Sequence, residues 1–247
     1  MNAIIIAAGS GKRISKEVKN IPKSMVKING KSIIEYQLKV LKQAGIDKIY
    51  VITGPYSDKF NLDDVKYVKD QNYANHDILG SLMEAKKYLK NDILVLYSDI
   101  IFDSKIIQQI LCSKKNISIA IDMNWEKMYE GRTDHHMSEA ENIQLDKMNK
   151  IVEIRKNIQN KNKRVGEFLG IIKFSLNGAE LFVKKYEELI KIHNGTFQQA
   201  PSISKAYITD MIQELINSKI SIEPIFVSGK WCEIDTMQDL KNAEKIF

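Results

Sequence analysis

At 247 residues the chain is long enough for one large α/β unit or two small ones, and its 44% hydrophobic content supplies a substantial core. No apolar run reaches the length of a bilayer span, the short apolar start lacks a basic leader, and Cys112 and Cys232 form no disulfide framework, so a reduced, cytoplasmic protein without a membrane anchor is expected. The net charge of +6 is spread along the chain, and the one tight basic cluster, 156–164, lacks interleaved aromatics; a solvated face or a mouth for anionic substrates is expected rather than a nucleic-acid groove.

Ala3 to Ala8 is an all-apolar run, the pattern of a strand buried on both faces of a sheet. It runs into Gly9-Ser10-Gly11, where missing Cβ atoms permit a sharp turn and close approach to a ligand. Lys12 and Arg13 follow at once, and Lys23 comes after Pro22. One reading is an ordinary βα turn with solvated cations. The other is a site where backbone N–H groups and fixed cations hold phosphate oxygens. A P-loop is excluded because position 6 is Ile, and a dinucleotide fingerprint because position 14 is Ile.

Ser32 opens a helical pattern through Ile33, Ile34, Leu38 and Leu41, and Gly45 supplies its stop. Ile49 to Thr53 and Val65 to Val68 read as strands, and this element order predicts a parallel sheet with right-handed crossovers. The polar run 70–82 follows a strand and therefore lies near the carboxyl edge, where ligands bind. Asn72, Asn75, His76, Asp77 and Ser81 offer the donors and acceptors that a pyrimidine edge requires. The plainer reading is a turn and a helix start capped by Asp77 or Ser81.

Met83 to Leu89 continues as helix, and Ile93 to Tyr97 is another buried strand. Asp99 at its carboxyl tip is placed to hold a cation beside a phosphate, or to serve as a loop or cap residue. Asp103 or Ser104 caps the next helix. After a strand at Ile117 to Asp122, Trp125 and Tyr129 are spaced to pack on one helix face or to frame an acceptor, and the planar fork of Arg132 suits phosphate or carboxylate. His135 and His136 read as a polar loop. Segments 142–146 and 150–155 form a hairpin, and the basic run 156–164 is a solvated loop or one that folds over the site. A helix over 178–192, a polar loop over 195–205, a helix over 207–216 and a strand over 222–227 complete the pattern. Asp235 stands at a strand-to-helix junction, where a second carboxylate could complete a metal site. Asp239 reads as a surface residue of the last helix's first turn.

The motif A-A-G-x-G-x-R, then P-K, then I-x-G-K at Ile28 to Lys31, resembles the signature of the nucleotidyltransferases that make sugar nucleotides and CDP-alcohols. The resemblance extends over Ala3 to Ala243 through Y-S-D-I-I, G-E-F-L-G-I and E-I-D-T-x-x-D-L. It implies a doubly wound, mostly parallel but mixed sheet with helices on both faces, in a single domain over 1–247 with an acceptor-side insertion at about 122–170. It implies that Arg13 and Lys23 contact phosphates as catalytic cations. It further implies that Ala7, Ala8, Gly9, Ser10, Gly11, Lys12, Asn75, Asp77, Gly80, Ser81 and Asp99 bind the nucleotide. Asp99 and Asp235 would hold Mg²⁺, and Trp125, Arg132, Lys156 and Glu167 would receive the acceptor, Lys156 on phosphate and Glu167 on a hydroxyl or amine. The Asn-rich and Asp-Trp segments are similar to those of small-molecule cytidylyltransferases. The implied reaction transfers CMP from CTP to the phosphate or phosphonate of a small amine or amino-acid-like acceptor, phosphoglutamine of capsule synthesis among them. The implied assembly is a monomer or homodimer. The alternatives are a sugar-1-phosphate nucleotidyltransferase using UTP or dTTP, a phosphocholine or 2-aminoethylphosphonate cytidylyltransferase, and a non-catalytic nucleotide-binding module.

Overall fold

The computed structural model describes residues 1–9, 14, 21–158 and 164–247. The apolar start forms β1 (Asn2–Ala7), whose alternate residues enter different cores: Ile4 and Ile6 on one face, Ala3 and Ile5 on the other. Burial on both faces is why the run shows no polar alternation. A short hairpin, β2 (Lys27–Ile28) and β3 (Lys31–Ser32), leads into α1 (Ile33–Gln43). Ser32 and Glu35 start this helix with a reciprocal capping box, and Gly45, at φ 76°, turns the chain away after it. β4 (Lys48–Thr53) pairs parallel to β1, and β5 (Val65–Lys69) parallel to β4. α2 (Ile78–Glu84) returns the chain to β6 (Ile93–Tyr97), parallel to β1 on its other side. β1 thus lies between β6 and β4, and its Gly-rich exit opens at the carboxyl edge of the sheet.

β7 (Ile100–Phe102) and α3 (Ser104–Leu111) follow, the helix capped by the Asp103 side chain. β8 (Ile117–Asp122), the hairpin of β9 (Glu141–Leu145) and β10 (Ile151–Lys156), and the long β11 (Arg164–Phe174) build the antiparallel half of the sheet beyond β6. β11 pairs with β9 over its first residues and with β6 over its last. Between these pairings stands Gly170, at φ 65°, where a Cβ would fall 2.6 Å from the Tyr97 ring. α4 (Leu176–Ile192), α5 (Ile208–Asn217), β12 (Glu223–Phe226), β13 (Trp231–Glu233) and α6 (Met237–Ile246) close the chain.

Among the described residues the main sheet runs β10-β9-β11-β6-β1-β4-β5, with β8 beside β11 and β12 beside β8. α1 and α3 cover one face; α2, α4 and α5 cover the other. This is the mixed, mostly parallel, doubly wound architecture expected. Several local features differ from the sequence expectation. α2 begins at Ile78 and ends at Glu84, with a 3₁₀ turn over Lys86–Tyr88 where continuous helix was expected. Trp125–Tyr129 is a 3₁₀ turn. β7 and β13 form their own small sheet, which no periodicity announced. Among the described residues no helix is long and apolar enough to cross a membrane.

Candidate active site

Asp99 follows β6 and Asp235 follows β13. The small sheet sets Ile100 opposite Glu233, and the Ile234 N–H donates to the Asp99 carbonyl at 2.8 Å. That register brings carboxylates from distant parts of the chain to one point. Lys23, in a 3₁₀ turn after Pro22, sends Nζ between them: it donates to Asp99 Oδ2 at 2.9 Å and to Asp235 Oδ1. Burial alone would lower the lysine's pKa, but Asp99 and Asp235, with Glu233 behind them, raise it above the ordinary value.

On one side of this point lies a cavity of about 720 Å³, lined by Ala7, Ala8 and Gly9 at the end of β1, by His76, Asp77 and Ser81, and by Lys23, Asp99 and Asp235. Its segment 72–81 is pinned from beneath by Asp70, which is fully buried. Asp70 Oδ2 accepts from Ser81 Oγ at 2.7 Å and pairs with His76 Nε2 at 2.8 Å, while Oδ1 accepts from the Asn72 N–H. The Ser81 hydroxyl proton is committed to Asp70, so toward the cavity Ser81 offers only lone pairs. Asp77 holds the N-cap position of α2 but makes no side-chain cap bond, which leaves its carboxylate free to face the cavity.

On the other side is a smaller cavity of about 140 Å³, walled by β9, the bend of β11 and the small sheet. Glu139, Glu141, Glu167 and Glu233 line it, with Lys156, Tyr97, Tyr207 and His135. Burial, with Glu233 nearby, pushes the Glu167 carboxyl well above its usual range. Burial likewise moves Glu141 to about 7, against the pull of Lys156, and moves Glu233 to about 7 with help from Asp235 and Asp99. This is an acidic, proton-holding pocket, and a cation entering it would discharge that strain. Asp99 and Asp235 line both cavities.

The structure brings Ala7, Ala8, Gly9, Lys23, Asp77, Ser81, Asp99, Asp235, Lys156 and Glu167 to these joined cavities. Ser10, Gly11, Lys12 and Arg13 lie outside the described residues, as does the centre of the basic run after Lys156. Asn75 is exposed in a turn, and Gly80 lies beneath the His76 ring, where a Cβ would meet that ring at 2.4 Å. Neither lines either of these two cavities as the described residues form them. Trp125 and Arg132 also differ from expectation. Trp125 is buried, its indole N–H donating to the Val165 carbonyl. Arg132, with a side chain 4% exposed, donates Nε to Asp239 Oδ1 at 2.8 Å, and its guanidinium lies over the Tyr129 ring. Its fork is therefore engaged internally rather than offered to a ligand. Asp239 is buried too, not a surface residue; despite that burial, Arg132 and the Asp235 backbone N–H, both donating to it, hold its carboxyl below the usual range.

His135 is the residue the sequence did not mark. It is 3% exposed, and its Nδ1 lies 2.8 Å from Arg132 Nη2. A guanidinium only donates, so at this shortest of its contacts Nδ1 accepts and the ring proton is assigned to Nε2; Asp235 Oδ2 and Asp239 Oδ2 stand farther from the same nitrogen, at 3.3 and 3.6 Å. His135, Glu233 and Asp235 have ligand atoms within 4.8 Å of one another, but in this tautomer neither ring nitrogen offers a lone pair to a metal. The only hint in the sequence is that Trp125, Tyr129, Arg132 and His135 recur at intervals of three or four.

Residues 3–130 match the family described as MobA-like NTP transferase domain. The chain is 28% identical to the CTP:phosphoglutamine cytidylyltransferase of Campylobacter jejuni, with 98% of each chain covered. It is 37% identical to the choline-phosphate cytidylyltransferase of Streptococcus pneumoniae over 99 residues, covering 38% of this chain and 43% of that one. The inositol-1-phosphate CTP transferase from T. maritima shares the fold with a TM-score of 0.74 at 18% identity, over 99% of this chain and 95% of that one.

Proposed function

This chain belongs to the family of MobA-like NTP transferase domains and is a nucleotidyltransferase, and from that premise we propose that it transfers CMP from CTP to the phosphate of a small amine or amino-acid-like acceptor. The observation that supports this reading is the junction of a large and a small cavity at Lys23, Asp99 and Asp235. The nucleotide takes the large cavity, and the acceptor takes the small one. Ser81 and Asp77 present acceptors toward the base, which suits the exocyclic amine of cytosine and leaves uracil's carbonyl facing lone pairs. The acidic wall of Glu141, Glu167 and Glu233 suits an acceptor that carries an amine. That two of the relatives are named as cytidylyltransferases supports the CTP part of this reading.

Asp99 and Asp235 already hold a cationic nitrogen between them, so this pair fits a divalent cation. Mg²⁺ held there supplies charge neutralisation along the triphosphate. The chain's own residues do the rest. The end of β1 receives the phosphates, and Lys23 moves its charge from the carboxylates onto them. The acceptor's phosphate oxygen attacks the α-phosphorus, the bond to the bridging oxygen breaks, and pyrophosphate leaves with that electron pair. The nucleophile is already anionic, so no general base is required, and the protein's contribution is alignment of anions that repel.

Pyrophosphate release from a matrix of nucleoside triphosphates against phosphorylated amines, amino acids and sugar 1-phosphates tests this. CTP with a phosphorylated amine should exceed UTP with the same acceptor, and ATP and GTP should be nearly inactive. Equal use of CTP and UTP would remove the cytosine assignment. Preference for a sugar 1-phosphate would overturn the acceptor class.

A further inference from the structure

Resting on the acceptor assignment just given, we infer that His135 and Glu167 together read the acceptor's headgroup, and that this headgroup carries an N–H donor and an oxygen acceptor rather than a quaternary ammonium.

Both side chains are nearly inaccessible, both line the small cavity, and each has one polar atom without a partner: His135 Nε2 and Glu167 Oε2. An orphaned polar atom at a buried site carries a desolvation penalty, and a ligand that satisfies it recovers that penalty. The rest of each side chain is fixed. Tyr129 donates its hydroxyl to Glu167 Oε1 at 2.7 Å, so only Oε2 is left for a ligand. The same Tyr129 ring meets the His135 ring edge-on at 5.9 Å and supports the Arg132 guanidinium at 4.6 Å. Arg132, anchored on Asp239, donates to His135 Nδ1 and so holds the imidazole proton on Nε2. The nearest carboxylate to that Nε2 is Glu233 Oε2, at 3.7 Å, beyond hydrogen-bond reach.

The frame therefore presents one donor, His135 Nε2–H, and, at Glu167 Oε2, a carboxyl oxygen that burial keeps protonated in the free protein and that becomes an acceptor when an entering ammonium favours release of its proton to solvent. A trimethylammonium group can neutralise Glu167 by charge but cannot donate to Oε2, and it offers nothing to His135. An ammonium with N–H bonds satisfies Glu167, and a carboxylate on the same headgroup accepts from His135. The chemical class is thus an α-amino-acid-like headgroup, with the phosphoryl oxygen at its far end directed to the junction at Lys23.

The test is a ranking on the full-length protein. Phosphoethanolamine, its N-methyl and N,N-dimethyl forms, and phosphocholine keep one charge while N–H bonds are removed; O-phosphoserine adds a carboxylate. Initial rates with CTP give kcat/KM, and saturation-transfer NMR without nucleotide ranks binding of the same compounds. The binding arm ranks headgroups even where the nucleotide assignment fails. Expected are the largest drop, about 10-fold or more, at the step that removes the last N–H, and O-phosphoserine above phosphoethanolamine. Glu167→Gln should flatten the methylation series. His135→Ala should abolish the preference for O-phosphoserine through KM, and His135→Gln, which restores an N–H, should recover part of it. Phosphocholine equal to or better than phosphoethanolamine would overturn the inference. So would a His135→Ala variant whose compounds all weaken by one common factor, since that pattern belongs to a structural strut.

Discussion

Lys23 occupies the place between Asp99 and Asp235 that a divalent cation would take. Two carboxylates this close are held apart from mutual repulsion by its ammonium, which explains why the lysine's pKa is raised against the effect of burial. On the proposed mechanism, a metal cation and this ammonium would compete for one set of oxygens until phosphates draw Lys23 away. Lys23→Met should bind Mn²⁺ more tightly than the parent protein in the absence of nucleotide, read by loss of the free-ion EPR signal. The same variant should lose roughly 10²–10³ in turnover, because a fixed cation no longer faces the developing charge. Unchanged Mn²⁺ affinity would place the metal elsewhere. Asp235→Ala, which removes one of the two oxygens, should reduce Mn²⁺ binding both with and without CTP. At this scale much was legible: a lysine after Pro22, an aspartate at a strand tip and another before a helix are local patterns. His135 was not, because its role comes from Arg132, Tyr129 and Asp239 closing around it, and nothing in the neighbouring residues separates it from His136.

Elements carry the site through geometry at a few positions. The bend of β11 at Gly170 lets one strand border both the parallel sheet and the β9–β10 hairpin, and the small cavity lies under that bend. Gly170→Ala combines a left-handed backbone with a Cβ 2.6 Å from the Tyr97 ring. It should destabilise the fold by about 1–3 kcal/mol in chemical denaturation and weaken acceptor binding more than CTP binding. The large cavity, proposed to take the nucleotide, has a different anchor. Asp70→Asn removes the buried carboxylate that orders His76, Ser81 and the Asn72 amide. Its expected result is a higher KM for CTP with a smaller CTP-to-UTP ratio, whereas a ratio unchanged from the parent would show that the segment does not read the base. The strands and helices of the main sheet were readable because their apolar patterns are continuous. The β7–β13 pair was not: each strand is three residues long, and what joins them is a pairing across about half of the chain. Sequence periodicity carries no information about such a contact, yet that pairing is what brings Asp235 to Asp99.

Across the whole molecule, the acidic pocket makes stability depend on pH in a direction opposite to that of an ordinary salt-bridged surface. Glu141 titrates at 4.5 when unfolded and at about 7 when folded, because burial disfavours its charge. Between those values the folded chain holds a proton that the unfolded chain has released, so the folded state is progressively disfavoured as pH rises. The contribution is fully present below the unfolded value and is lost as pH passes through the folded one. Glu233, also moved to about 7, and Glu167, moved up by burial, act in the same sense. Asp239 acts oppositely, but its stabilisation is complete above its unfolded value of 3.8 and is lost only below that, outside this window. The melting temperature of the ligand-free protein should therefore fall between about pH 5 and pH 8, and Glu141→Gln should make that fall shallower. An ammonium-bearing acceptor should oppose the fall, because it supplies the charge that the ionised carboxylates lack, and its stabilising effect should be larger at about pH 8 than at about pH 5. A melting temperature that rises over this interval, in the parent and in Glu141→Gln alike, would show that these carboxylates are solvated in the free protein and that the small cavity is open to water rather than closed by β9 and β11.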